Sequence, residues 1–141
     1  MRSSKPTHPK PVVATMLIAL GFLLSSWRES QAQVDARQVA HGVRYSGKES
    51  VAAALEAVGE PECIQGICTQ KARLLEVFAC RGREFKAGDL VDFSNAAAVG
   101  SQYLGILVAM KNGVFGSTFL AKGATDEDRK QFAAELKSAG L

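Results

Sequence analysis

The sequence predicts a small α+β domain in which two helices pack on an antiparallel sheet of four to five strands. Three observations support this fold class. The chain has two apolar runs joined by Asn112-Gly113, several segments that alternate apolar and polar residues, and two segments with the capping residues and apolar stripe of a helix. Hairpins with helices laid on one face form an α+β sandwich. A small SH3-like β-barrel with flanking helices is the alternative architecture.

The N-terminal segment has the layout of a secretory signal peptide. Basic residues precede an uncharged apolar run of 13 residues, Val12–Leu24, which is shorter than the ~20 residues that a membrane-spanning helix needs. The small residues Ser30 and Ala32 suit a signal peptidase. We therefore predict a signal peptide over residues 1–32 and one exported domain over residues 33–141. The domain is expected in the periplasm or outside the cell, with no stable membrane span after cleavage.

The net positive charge of the chain comes from the predicted signal peptide. The full sequence has a formal net charge of +3 from 17 basic and 14 acidic residues, of which residues 33–141 retain 13 and 13. Nucleic-acid binding needs clustered basic residues. The densest remaining cluster, Arg81, Arg83 and Lys86, is interrupted by Glu84 and is typical of a solvated turn. We therefore expect a protein or envelope partner and no nucleic acid.

The first predicted element is a strand. The segment RQVAHGVRY, residues 37–45, alternates with a period of two and places Val39, His41 and Val43 on one face. His41 is the one histidine after the predicted leader. Between two valines, it is expected to be a half-buried imidazole bonded to the backbone.

The second predicted element is a helix in SGKESVAAALEAVGEP, residues 46–61. Ser46 and Glu49 have the spacing of a capping box. Gly59 followed by Pro61 would end the helix. Its apolar residues recur on one helical face: Val51, Ala54, Leu55 and Val58.

Two further strands are predicted in the middle of the chain. TQKARLLEVFAC is compatible with a helix or a strand, and a strand over residues 74–81 is favoured because β-branched and aromatic residues lie at its end. In EFKAGDLVDFSN a turn at residues 87–89 precedes a strand. There Val91 and Phe93 face one side, and Leu90 and Asp92 face the other.

The strongest local signal is the hairpin YLGILVAMKNGVFGSTFLA. Asn112-Gly113 tolerates positive φ, as a two-residue type I′ turn requires. That turn would pair residues whose numbers sum to 225, so that Ile106, for example, would lie opposite Phe119. The core face would then hold Leu104, Ile106, Val108, Met110, Phe115, Ser117, Phe119 and Ala121. The reverse face, with Leu107, Thr118 and Leu120 among small residues, is a possible partner surface, for another protein or for a second copy.

The last segment, TDEDRKQFAAELKSAGL, predicts an amphipathic helix. Thr125 is its N-cap, and three acidic residues follow in the first turn. The apolar stripe consists of Phe132, Leu136 and Ala139.

The three cysteines favour a disulfide. Haem attachment and thioredoxin-type exchange need C-x-x-C motifs, which are absent. A structural zinc site needs four ligands, and we expect no metal or cofactor. A Cys63–Cys68 bridge is favoured, because Gly66 lets the chain turn back. Cys80 would then be a buried free thiol. A Cys68–Cys80 bridge and an intermolecular bond are the alternatives.

Two segments resemble known small folds. FKAGDLVDF followed by YLGILVAMKNGVFGSTF resembles the strand pattern of SH3-like barrels. SVAAALEAVGEP followed by strands is similar to the repeat of small periplasmic assembly proteins of the BamE and β-lactamase-inhibitor type. Each resemblance covers less than half of residues 33–141, and neither includes a motif that assigns a functional residue.

The functional prediction is an exported, non-enzymatic binding or accessory domain that contacts a protein or envelope component. The sequence contains none of the hydrolase, phosphate-binding or zinc-protease motifs. The alternative is a small hydrolase-like enzyme that uses His41 with an aspartate or a thiol. Asp89 and Asp92 are candidates for paired catalytic carboxylates, although carboxylates beside a turn are more often solvated.

Overall fold

The structure, a computed structural model, describes residues 34–141, so the predicted signal peptide over residues 1–32 lies outside the described residues. The two helices and six strands of this part of the chain confirm the α+β class. In chain order they are α1 (Ala36–Arg44), β1 (Ser50–Ala57), β2 (Glu62–Ile64), β3 (Ile67–Arg81), β4 (Leu90–Phe93), β5 (Gln102–Ala109), β6 (Val114–Lys122) and α2 (Asp126–Ser138).

The strands form one sheet in the order β1-β5-β6-β4-β3-β2. β1 also pairs with β3, so five strands form a closed ring of hydrogen bonds that excludes β2. This ring is compatible with the barrel alternative. β4 and β6 are parallel, so the sheet is mixed and not antiparallel as predicted. The parallel pair arises because β5 pairs with β1, and the hairpin from β5 then returns β6 beside β4.

Apolar side chains pack on both faces of the ring. One cluster lies where the helices cover the sheet: Val34, Val39, Val43, Ala52, Ala54, Leu104, Ile106, Phe119, Phe132 and Leu136. The second cluster consists of side chains on the opposite face of the strands together with Phe85 from the loop before β4. Its strand residues are Val51, Ala53, Leu55, Ala72, Leu74, Val91, Phe93, Leu107 and Phe115.

The predicted helix over residues 46–59 is wrong, because β1 occupies this segment. β1 pairs with β5 on one side and β3 on the other, and all its residues except Glu56 are buried. The sequence of a strand that is covered on both faces is a continuous apolar run. The periodicity of its apolar residues does not distinguish such a run from a helix. The similarity to the helix-first periplasmic repeat therefore has no counterpart here. Ser46 caps no helix, and its hydroxyl donates to the Val43 carbonyl oxygen at 2.8 Å.

The predicted strand over residues 37–45 is also wrong, because this segment is α1. The Asp35 carboxylate caps the helix by accepting from the Arg37 backbone N–H at 2.8 Å. Val39, Gly42 and Val43 are buried against the sheet. Val39 and Val43 are four residues apart, a spacing that fits both a helix face and one side of a strand.

The other predicted elements are confirmed. The predicted strand over residues 74–81 is the second half of β3, and in β4 the side chains of Val91 and Phe93 are the buried ones. α2 begins after Thr125, whose hydroxyl accepts from the Asp128 backbone N–H as part of a capping box. Its stripe is buried at Phe132 and Leu136.

The β5–β6 hairpin follows the predicted register for half its length. Residues 103–106 pair with partners that sum to 225, including Ile106 with Phe119. Leu107 then pairs with Ser117, so β6 has one extra residue, Thr118, at a bulge. The predicted pairs of Val108 and Met110 are therefore wrong. The predicted two-residue turn is wrong as well, because the loop has three residues, Lys111–Gly113. It is closed by a hydrogen bond from the Met110 N–H to the Val114 carbonyl oxygen at 2.8 Å.

The pairing of β5 with β1 has no irregularity, so the side chains of β5 alternate between the two clusters. Leu107 lies on the face opposite Ile106, as predicted, but that face is the interior of the ring, and Leu107 is buried there. Met110 is 51% exposed instead of lying on the core face. Asn112 and Gly113 have positive φ as predicted, at 74° and 76°.

Candidate functional site

Residues 62–69 form a hairpin that extends beyond the closed ring. Among residues 34–141, β2 pairs only with β3, and the first three residues of β3 pair only with β2. Gln65 and Gly66 make a two-residue turn with φ of 53° and 82°, the conformation that suits a tight hairpin. A disulfide joins Cys63 and Cys68, which are directly opposed in the register. The bridge favoured in the sequence analysis therefore closes this hairpin.

The end of the hairpin exposes two large apolar side chains. Ile64 and Ile67 flank the turn as a cross-strand pair and are 72% and 68% exposed. We call this pair the apolar tip. The disulfide and the turn hold both side chains away from the core, so their exposure follows from the backbone conformation of the hairpin.

The base of the hairpin is anchored by Gln70, which is 3% exposed. Its amide nitrogen donates to the carbonyl oxygens of Gly59 and Ala97, both at 3.0 Å. Its amide oxygen accepts from the Ala97 N–H at 2.9 Å. One buried side chain thus fixes the loops on both sides of the hairpin, and Glu60 and Glu62 are exposed beside it.

A groove lies between α1 and β6. Its volume is about 630 Å³, and it is lined by Asp35, Arg37, Gln38, His41, Thr118, Phe119 and Leu120. We call it the α1–β6 groove. The bulge in β6 aims Thr118 at the helix, where its hydroxyl donates to the Gly42 carbonyl oxygen at 2.8 Å. Leu120 is 36% exposed in the groove, and Phe119 is 6% exposed beside it.

The residues of the predicted partner surface fall in two different places. Thr118 and Leu120 line the α1–β6 groove. Leu107 is fully buried in the ring interior, so its predicted surface position is wrong. The reason is the closure of the ring, which makes the face opposite Ile106 a second buried core. Cys80 is a free thiol, but it is exposed rather than buried.

The side chains proposed for catalysis have separate partners. His41 lies on the exposed face of α1 with its ring 4.6 Å from that of Tyr45, so the predicted half-buried imidazole on a strand is wrong. The Asp89 carboxylate accepts from the Lys86 backbone N–H at 2.9 Å. Asp92 forms an ion pair with Lys71 at 2.7 Å. The two aspartates therefore stabilise a turn and a strand pair.

The basic cluster around residue 81 is also engaged locally. The Arg81 guanidinium donates to the Ser46 hydroxyl at 3.1 Å. The Arg83 guanidinium lies 3.6 Å from the Glu49 carboxylate and 4.7 Å from the centre of the Phe85 ring. These contacts tie residues 81–85 to the start of β1.

Within residues 34–141, no group of three or more His, Cys, Asp or Glu side chains is arranged to hold a metal ion. In the same part of the chain, no helix has the length and apolar character needed to cross a membrane.

No protein-family model matches the chain, and no curated protein shows significant similarity to it. Functional inference therefore rests on the geometry of the hairpin and the groove.

Sequence reasoning missed the apolar tip, although the signal was present. In CIQGIC, two isoleucines flank a two-residue turn between cysteines that can bridge. Side chains so close to a covalently closed turn are unable to reach a core formed by other strands.

Proposed function

We propose that the protein is an exported binding domain that contacts a protein partner, in the envelope or outside the cell, through the apolar tip. The observation that carries this proposal is the pair Ile64 and Ile67, held 72% and 68% exposed at the end of a disulfide-closed hairpin. Burying one such side chain contributes roughly 1.5–3 kcal/mol, so the exposed pair is a strong source of binding free energy.

The rigidity of the hairpin supports a binding role. Association loses affinity when loops must be ordered in the complex, and a closed hairpin has little remaining freedom. The disulfide at one end and Gln70 at the other limit the motion of residues 62–69.

Export is the second part of the proposal. The predicted signal peptide would direct the chain to an oxidising compartment, where a disulfide such as Cys63–Cys68 forms and persists. Mass spectrometry of the exported protein is expected to find a chain that begins near Gln33. An intact N-terminus at Met1 would contradict cleavage.

Site-specific photo-crosslinking tests the binding role in the native compartment. A photoreactive residue at position 67 should capture a discrete partner, whereas the same residue at position 90 should not. Leu90 is a matched control because it is 54% exposed on β4. Equal capture at both positions would reject the tip as the contact.

Substitution of the tip gives the quantitative test with the partner identified by crosslinking. Ile64→Ser together with Ile67→Ser should weaken binding at least about tenfold, which is only ~1.4 kcal/mol of lost contact. The melting temperature should not change, because both side chains are exposed. Unchanged affinity would contradict the proposal.

The geometry gives less support to the hydrolase alternative. His41 borders the α1–β6 groove, but the Thr118 hydroxyl donates to the Gly42 carbonyl oxygen and the Asp35 carboxylate caps α1. The neighbouring hydroxyl and carboxylate are therefore engaged with the backbone of the helix.

A further inference from the structure

We propose that the apolar tip binds the α1–β6 groove of a second copy of the same chain. This inference rests on the proposed function, because it names the partner of the same tip. Both surfaces are exposed in one chain, so the tip does not fill its own groove: Ile64 is 72%, Ile67 68% and Leu120 36% exposed.

The groove is large enough to receive the tip, and two of its seven lining residues are apolar. The tip is convex and presents two aliphatic side chains, whereas the groove is concave with a volume of about 630 Å³. Small-ligand pockets have volumes of roughly 300–1,000 Å³, so the groove is large enough for two isoleucine side chains. Leu120 and the edge of Phe119 supply the apolar contact inside it.

The charges around the two surfaces are opposite. Glu60 and Glu62 are exposed beside the hairpin. α1 carries Arg37 and Arg44 on its exposed side and has no acidic residue. The Asp35 carboxylate of the groove accepts from the Arg37 backbone N–H. An acidic hairpin therefore approaches a basic helix, which favours this orientation over a tip-to-tip contact.

The overall charge does not oppose self-association. The 13 basic and 13 acidic residues of residues 33–141 cancel, so two copies have no net repulsion. Because the tip and the groove are different surfaces, the contact is heterologous, and it gives either a reciprocal dimer or a head-to-tail chain.

Sedimentation velocity with three variants tests the contact. The tip variant is Ile64→Ser with Ile67→Ser, the groove variant is Arg37→Glu with Leu120→Ser, and the control is Leu90→Ser. The mass of the unmodified protein and of the control should rise with concentration. The tip and groove variants should each associate at least tenfold more weakly, with unchanged melting temperatures. If the groove variant is unfolded, Arg37→Glu alone replaces it, because this side chain is exposed.

Mixing the two defective variants distinguishes this contact from others. The tip variant keeps an intact groove and the groove variant keeps an intact tip, so the mixture should form a one-to-one complex that neither forms alone. A tip-to-tip dimer would be weakened by the tip variant alone, and a groove-to-groove dimer by the groove variant alone. Either of these results, or two defective variants that fail to combine, would overturn the proposal.

The proposal is also overturned if the unmodified protein is monomeric at concentrations up to about 1 mM. A contact with a millimolar dissociation constant would be half-saturated at that concentration. The proposed function survives that result if the tip still crosslinks to a different protein. It fails separately if the tip variant retains the affinity of the unmodified protein for that partner.

Discussion

At the residue scale, α1 approaches the sheet closely at Gly42. A Cβ atom built there would lie 2.9 Å from Phe119 Cβ, 3.0 Å from Ile106 Cδ1 and 3.2 Å from the Thr118 carbonyl oxygen. These atoms belong to a packed core and to the backbone, so they have little room to move. Glycine at this position lets α1 lie close to β6.

Gly42→Val should destabilise the protein by about 1–3 kcal/mol, the usual cost of overpacking a core. Ala40→Val is the matched control, because Ala40 lies on the exposed side of the same helix and the change introduces the same β-branched side chain. Chemical denaturation compares the two. Valine is a better helix former than glycine and a poorer one than alanine, so a loss at position 42 no larger than that at position 40 would contradict the close approach.

Gln70 is the second residue whose replacement has a defined effect. Its side chain satisfies the Ala97 N–H and the carbonyl oxygens of Gly59 and Ala97. Gln70→Leu should therefore cost about 2–4 kcal/mol, because buried backbone groups lose their partners. In the control Gln102→Leu, the lost bond is an exposed contact with Glu56, and denaturation should detect little change.

At the element scale, α1 and β1 are the two segments whose predicted types are interchanged. Both have apolar residues at a spacing of four, Val39 with Val43 and Val51 with Leu55, which serves a helix or a strand. Capping signals do not decide between them, since Asp35 caps α1 but Ser46 and Glu49 cap nothing. The long-range pairing of β1 with both β3 and β5 overrides its local helix signals.

The disulfide-closed hairpin should behave as a local element. In a Cys63→Ser, Cys68→Ser variant, the amides of residues 62–69 should exchange hydrogen faster, while those of β1 and β5 remain protected. The loss of stability should not exceed about 2 kcal/mol, the loop-closure value for so short a ring. Cys80→Ser is the control, because Cys80 is an exposed free thiol. Global loss of protection in the double variant would make the hairpin part of the folding core.

At the scale of the whole molecule, two apolar clusters on opposite faces of one ring hold the fold together. The helix-covered cluster includes Val34, Val39 and Val43 from the N-terminal segment. The Val34 carbonyl oxygen also accepts from Gln131 Nε2 of α2 at 3.0 Å. The segment directly after the predicted cleavage site is therefore part of the core.

A chain that begins at Gln33 should fold cooperatively, whereas a chain that begins after Arg44 should not. The longer deletion removes α1 and uncovers Ile106 and Phe119, so we expect a large loss of stability and binding of a hydrophobic dye. Circular dichroism and thermal unfolding compare the two chains. Equal stability would show that α1 is dispensable for the core.

The sequence by itself determined the α+β class, β4, the second half of β3, α2 with its cap, the positive φ at Asn112-Gly113 and the favoured cysteine pair. Each of these depends on interactions between residues close in the chain, such as a capping hydroxyl, a glycine in a turn or a short loop between cysteines. Each such interaction can therefore be recognised within a short stretch of the sequence.

Only the tertiary structure decided the identities of α1 and β1, the bulge at Thr118, the burial of Leu107 and the exposure of the tip. β1 is a strand because β3 and β5, which are distant in the chain, pair with its two edges. Leu107 is buried because the pairing of β1 with β3 closes the sheet into a ring around it. Long-range pairing overrides local propensity, and it also decides whether a face of the sheet is open to solvent or enclosed in a barrel interior. For that physical reason, the surfaces available for binding were fixed by contacts between distant segments.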